Sequence, residues 1–171
     1  RQAAVLDTIS EVKQGAEGML HNLNSLQSRA GNQLPFSSIN YGTCTLPEGR
    51  IVIRAILDAT IRGTGNGQTS IFPCQIFQML DGINTKPEDP NYDLFKHAIK
   101  CTSMRMYPNY VNCDWSKDQG YNKDDPRTYP STMGCRTYSS WDINAPDEAH
   151  SHIKDGRGNI APATVILPTL A

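Results

Sequence analysis

One cysteine of five stands where its sulfur could be used. Met133-Gly134-Cys135-Arg136-Thr137 places Cys135 in a tight glycine-bearing turn, off any regular element, with a guanidinium next door. A nearby positive charge favours the thiolate, and backbone freedom lets a turn aim it, so this is the residue to read as a reactive centre against the alternative of an ordinary loop cysteine. Cys44, Cys74 and Cys101 lie in apolar surroundings and read as small buried hydrophobes. Cys113 closes a short strand; a redox pair with Cys135 would need the two Cα atoms within about 7 Å. His150-x-His152 beside Asp147 and Glu148 has metal-ligand residue types, but no third ligand at motif spacing, and reads as solvated. His21 and His97 are single helix residues with a structural reading. Gly63, Gly65 and Gly67 follow a helix and precede a strand, the reverse of a phosphate loop, and read as a helix end and turn. Asp124-Asp125 and Asp147-Glu148 read as wet loop acids. GxSxG, HExxH and DxDxDG patterns are absent.

The elements that must position Cys135 follow from hydrophobic period and punctuation. Val5, Ile9, Val12, Ala16, Met19, Leu23 and Leu26 recur at spacings of four and three, which predicts a helix ending near Ser28, before Gly31. Residues 36–43 read as a strand. Thr45-x-x-Glu48 with Pro47 inside it reads as a capping box opening a helix to about Ile61, apolar on more than one face through Ile51, Val52, Ile53, Ile56 and Leu57. Residues 69–80 read as a strand broken at Pro73, with residues 75–80 also compatible with helix. Asp89-Pro90 opens a third helix that buries Leu94, Phe95, Ala98, Ile99 and Thr102, carries Lys100 and Arg105 at its negative end, and stops before Pro108. Residues 110–113 form a short strand, 114–130 a polar excursion, and one strand follows, with Val165 to Leu170 strand-like at the end. Alternating helix and strand predicts an α/β layer or barrel with a mostly parallel sheet.

Composition sets bounds. At 171 residues the chain is one domain with a real core, 38% apolar and 19% charged. Sixteen basic against seventeen acidic residues give no basic excess for a nucleic-acid polymer or a membrane surface. No apolar run spans a bilayer, and no signal peptide is recognised at Arg1-Gln2. An odd number of cysteines without CxxC spacing points to a reducing cytoplasm. The chain opens inside a helical pattern without methionine and closes on a strand, so both ends read as cut and the chain as a piece of a longer protein.

Five segments, in order, resemble one family. Residues 35–42 (PFSSINYG), 71–77 (IFPCQIF), 89–95 (DPNYDLF), 133–137 (MGCRT) and 155–159 (DGRGN) are similar to the anaerobic (class III) ribonucleoside-triphosphate reductases, and they cover the chain almost end to end. The resemblance implies a glycyl radical enzyme built on a ten-stranded α/β barrel, of which residues 1–171 are a partial domain, a central segment with the finger loop. It implies reduction of ribonucleoside triphosphates to 2′-deoxyribonucleoside triphosphates, with formate as reductant. It makes Cys135 the finger-loop cysteine that becomes a thiyl radical and Asn159 the asparagine facing the substrate. It puts Thr137 near the substrate and lets Ser37 and Ser38 contribute hydroxyls. The glycyl radical, a structural zinc, and an activating enzyme using an iron–sulfur cluster and S-adenosylmethionine are implied for the complete enzyme, with nucleotide effectors and a homodimer. No metal ligand set is read in this segment. The family's ATP-cone, second active-site cysteine, glycyl-radical loop and zinc cysteines are not recognised here, so the chain is expected not to turn over alone. The rival expectation is a non-catalytic fragment or split subunit that completes a barrel with another chain.

Overall fold

In a computed structural model, which describes residues 2–26, 33–115, 122, 124–139, 142, 144–147 and 154, helices cover one face of a parallel sheet and a hairpin occupies the other. The order is α1 (Gln2–Ser25), β1 (Ser38–Tyr41), α2 (Pro47–Arg62), β2 (Cys74–Met79), α3 (Tyr92–Arg105), β3 (Asn109–Asn112), β4 (Ser131–Thr132) and β5 (Tyr138–Ser139). β1, β2 and β3 lie side by side in that order, all parallel, with Ser38 opposite Cys74 and Ile76 opposite Asn109. β4 and β5 form a separate antiparallel pair. The expected α/β alternation and parallel sheet are therefore present.

Side-chain alternation along a strand separates the two faces. On the helix side, Phe77 packs with Ile53 and Leu57 of α2 and Leu94, Ala98 and Cys101 of α3, with Tyr41 and Met79 at its margin. Ile39 and Tyr41 meet a second cluster in which Ala16 and Leu20 of α1 pack on Ala55, Ile56 and Ala59 of α2. α2 is thus wedged between α1, α3 and the sheet, which is why it is apolar on more than one face. Buried Gln75 closes its hydrogen bonds on the same side, donating to Thr60 Oγ1 at 2.7 Å and accepting from Tyr41 Oη at 2.7 Å. Outside, Asp93 accepts from Arg50 at 2.9 Å and Arg54 at 2.7 Å, tying α3 to α2.

Several expectations are corrected. The capping box is out of register. Leu46, extended as a residue before proline must be, is the N-cap of α2 and supplies no side-chain bond, so Pro47 rather than Thr45 sets the helix start. α3 begins at Tyr92, because Asp89 uses its carboxylate on the amides of Thr85 and Lys86, each at 2.8 Å. Residues 75–79 are strand, not helix. Ile99 is 49% exposed while Cys101 is fully buried, so the buried stripe of α3 is rotated from the expected one. Along α1 the deepest residue is Leu20, whereas Val5 and Leu26 are 53% and 61% exposed. Cys44 is exposed; Cys74, Cys101 and Cys113 are buried. Gly63 caps α2 with φ +78 and Thr64 bridges Gln68, as the helix-end reading of the glycines required. Arg105 serves α2 rather than its own helix, donating to the carbonyls of Ile61, Arg62 and Gly67. The single strand expected after the polar excursion is instead a hairpin. The expected end of α1 near Ser28, the strand from Val165 to Leu170, His150 and His152 lie outside the described residues.

Candidate active site

The turn that carries Cys135 is closed by two backbone hydrogen bonds. Arg136 N donates to Met133 O at 2.8 Å, and Met133 N donates to Thr137 O at 2.9 Å. These bonds define a three-residue hairpin loop, 134–136, whose third residue takes the left-handed conformation. Arg136 has φ +66. An L-residue there costs about 1–2 kcal/mol relative to a relaxed backbone, and glycine is the usual occupant.

Polar strand residues seat this hairpin on the face opposite the helices. Asn40 pairs with both backbone groups of one β4 residue: Nδ2 donates to Thr132 O at 2.9 Å, and Oδ1 accepts from Thr132 N at 3.1 Å. The Asn40 side chain thereby acts as an extra strand residue across the gap. Gln78 Nε2 donates to Pro130 O at 2.8 Å. At the tip, Gly134 lies so close to β1 and β2 that an added Cβ would stand 2.8 Å from Phe36 Cε1 and 3.1 Å from both Cβ and Sγ of Cys74. Three contacts, at Pro130, Thr132 and Gly134, fix where the turn sits.

In that turn Cys135 is exposed, and its Sγ lies 3.3 Å from Thr137 Oγ1, either atom able to donate. The structure thus brings together two of the sequence-derived residues. Ser38 lies on β1 two residues from Asn40 and so shares the hairpin face. Ser37 is bonded through its carbonyl to Cys74 N at 2.8 Å, and its buried Oγ has no partner among the described residues. Asn159 lies outside the described residues. Lys154, five positions before it, donates through Nζ to the carbonyl of Tyr129 and reaches Ser131 Oγ at 3.5 Å.

The surrounding thiols differ in kind. Burial pushes the Cys101 thiol up to about 11 and the Cys113 thiol up to about 12, which keeps both protonated and inert at neutral pH. No disulfide joins any of the cysteines, so the Cys113–Cys135 pairing is not formed; Cys113 packs instead with Leu80 and Tyr129. Tyr107 Oη donates to Cys74 Sγ at 3.8 Å; burial raises its pKa first, with a smaller opposing pull from the nearby charge of Arg136. His97 pairs with Asp58 at 2.7 Å between α2 and α3, in keeping with its structural reading. Among the described residues no three His, Cys, Asp or Glu side chains converge to hold a metal ion. No described helix is long and apolar enough to cross a membrane.

Sequence reasoning missed Asn40, Gln78 and Tyr107 as the groups around the turn. The available signal was the amides within the strand runs SINY and CQIFQM, since an amide buried in a strand must find a partner.

Residues 5–171 match the family described as "Anaerobic ribonucleoside-triphosphate reductase". The protein of that name from Escherichia coli is 34% identical over 167 residues, 96% of this chain and 22% of that protein's length. Its counterpart from Haemophilus influenzae is 34% identical over 157 residues, 91% of this chain and 20% of its own length. The chain therefore spans about a fifth of the length of these curated relatives.

Proposed function

This chain belongs to the anaerobic ribonucleoside-triphosphate reductase family, and from that membership we propose that it holds the hydrogen-abstracting centre of such an enzyme, with Cys135 as the reacting residue. The observation that carries the reading is the placement of Cys135. Its sulfur is exposed on a turn locked by two backbone bonds and clamped by Asn40, on the sheet face that the helices leave clear. That is the arrangement a finger loop inside a ten-stranded α/β barrel requires, with helices outside and the sulfur inside.

In this reading the substrate is a ribonucleoside triphosphate and the product the 2′-deoxyribonucleoside triphosphate. A glycyl radical elsewhere in the complete protein, installed by an iron–sulfur, S-adenosylmethionine-dependent activating enzyme, supplies the unpaired electron. As a thiyl radical, Cys135 Sγ takes the 3′ hydrogen: the ribose C–H bond breaks and an S–H bond forms. The 2′ hydroxyl, once protonated, leaves as water. Formate delivers the two reducing electrons and departs as carbon dioxide, and Cys135 returns the hydrogen to C3′. Thr137 Oγ1, 3.3 Å from the sulfur, can donate to it or to a ribose oxygen beside it. Asn159 is assigned to the ribose or formate, and Ser37 and Ser38 to substrate hydroxyl contacts. A tight turn suits this work because a displacement of about 1 Å can cost a hundredfold in rate. The described residues offer no zinc site, so structural zinc is assigned to other parts of the protein, as are nucleotide effector binding and the homodimer interface.

A second reading, a split subunit or fragment that completes a barrel with another chain, draws on β1 and β3, each of which lies at an edge of the parallel sheet.

The test is Cys135→Ser in a full-length reductase carrying this segment. Deoxyribonucleotide formation is expected to vanish while the glycyl radical signal in electron paramagnetic resonance still forms. Appreciable product from that variant would overturn the assignment.

A further inference from the structure

The groove beside the hairpin carries chemistry that the hydrogen transfer does not use. It encloses about 460 Å³ and is lined in part by Ser70, Arg105, Tyr107, Asn109 and Arg136. A neighbouring cavity of about 250 Å³, bounded by Ile76 and Thr132, shares Asn109 and Arg136 with it. Among the described residues no carboxylate lines either space. The two arginines are not equivalent. Arg105 directs its N–H groups at the carbonyls of Ile61, Arg62 and Gly67 and offers the groove only its charge. The Arg136 guanidinium is exposed and has no hydrogen bond or carboxylate partner among the described residues.

Two further observations bear on what this groove receives. Ser70 is 2% exposed, yet its Oγ has no hydrogen-bond partner among the described residues. Buried hydroxyls are seldom left so, and this one belongs to a residue that lines the groove. Arg136 also holds the left-handed third position of the hairpin loop, where glycine is the relaxed choice. An arginine kept there against backbone preference does something that glycine would not.

We propose that this groove receives the oligophosphate chain of the nucleotide substrate, with Arg136 as its principal cation and Ser70 Oγ as a hydroxyl donor. A guanidinium fork matches two phosphate oxygens, and an acid-free wall leaves its charge uncompensated until an anion arrives. Because Arg136 follows Cys135 directly, phosphates gripped there tether the ribose on the sulfur's side of the sheet. The proposal rests on Cys135 being the reacting residue, and its test is built to fail separately.

The measurement is equilibrium binding of a radiolabelled ribonucleoside triphosphate substrate to the full-length reductase, with effector nucleotide saturating, in a Cys135→Ala background that needs no turnover. Arg136→Gln is expected to weaken binding about 10- to 100-fold, the usual loss for a charged hydrogen-bond partner. Arg136→Lys is expected to lose less, and Ser70→Ala a few-fold. Arg136→Gly should weaken binding as Gln does while slowing hydrogen exchange in residues 131–139, because glycine relaxes the loop. Affinity for the unphosphorylated nucleoside should not change. The proposal is overturned if substrate affinity stays within threefold of the parent in both Arg136→Gln and Arg136→Gly, if the nucleoside loses as much as the triphosphate, or if only effector affinity moves. Failure of the radical reading would appear elsewhere, as product from Cys135→Ser.

Discussion

Replacing Asn40 by alanine should unseat the hairpin without unfolding the sheet. The side chain makes two bonds to the backbone of one residue, Thr132, at 2.9 and 3.1 Å, and both are lost together. Each such bond is worth about 0.5–1.5 kcal/mol net, and stranding the half-buried N–H and C=O of Thr132 adds about another 1 kcal/mol, for a total of about 2–4 kcal/mol. That raises the population of the undocked hairpin roughly 30- to 1,000-fold, since about 1.4 kcal/mol is a factor of ten. Gln78, which holds Pro130 O at 2.8 Å, limits the opening to the hairpin and spares the preceding segment. Hydrogen exchange read on peptides covering 131–139 should accelerate by that factor, while peptides covering β2 keep their protection because the helix-side cluster is untouched. Asn40→Asp sharpens the test. It keeps the acceptor for Thr132 N but turns a donor into a second acceptor facing Thr132 O. The hairpin should loosen at neutral pH and re-seat as the new carboxyl is protonated at lower pH and can donate again. Exchange in 131–139 within threefold of wild type in Asn40→Ala would refute the clamp.

Two further predictions follow from the same geometry. Gly134→Ala should cost about 1–3 kcal/mol of hairpin docking and at least a tenfold loss of kcat in the full-length enzyme. The Phe36 ring is 69% exposed and can swing aside, but the buried Cys74 cannot, so adding Phe36→Leu should restore activity only in part. Alkylation at pH 8 followed by mass mapping should label the exposed Cys44 and Cys135 first. Cys101 and Cys113, raised to about 11 and about 12, would hold about 0.1% thiolate or less and should label only on unfolding, with labelling rising as pH climbs through 10. Prompt labelling of Cys113 in the folded chain would contradict its burial.

What could be read in the sequence was whatever repeats along it. The period of α1, the proline and glycine punctuation around α2 and α3, and the apolar run of β2 each announced their element, and together they implied a parallel sheet. Contacts between distant segments were not legible. β4 and β5 are two residues each, too short to show alternation, and exist because Asn40 and Gln78 bond the chain about 92 and 52 residues further on. Nor could sequence say which way Cys44 would face: it sits in the loop before α2, where Gly49 closes over its sulfur on one side only. Pro47 displaced the capping box for a local reason that a spacing rule alone overlooks, namely that proline fixes the conformation of the residue before it. The turn that carries Cys135 was legible, because glycine beside a cysteine is a local pattern; its seat against β1 and β2 was not.

Among the described residues, the buried hydroxyls without partners all lie outside the helices. Toward the helices, Gln75, Thr60 and Tyr41 bond one another, and the fully buried Asn84 and Asn91 are spent on the carbonyls of Gly42, Gln78 and Cys44. Three buried hydroxyls lack partners among the described residues: Ser37, Ser70 and Tyr138. None belongs to a helix. Ser37 adjoins Cys74, on which Gly134 rests; Ser70 lines the groove shared with Arg136; Tyr138 is in β5 itself. Each stranded hydroxyl costs about 1–3 kcal/mol, which a fold that needed only to be stable would have little reason to keep. Their gathering around the hairpin, next to an arginine held in a glycine conformation, is the pattern of a surface completed by a polar ligand. On the proposed reading, the sulfur of Cys135 stands at the margin of that surface, held there through the amides of Asn40 and Gln78.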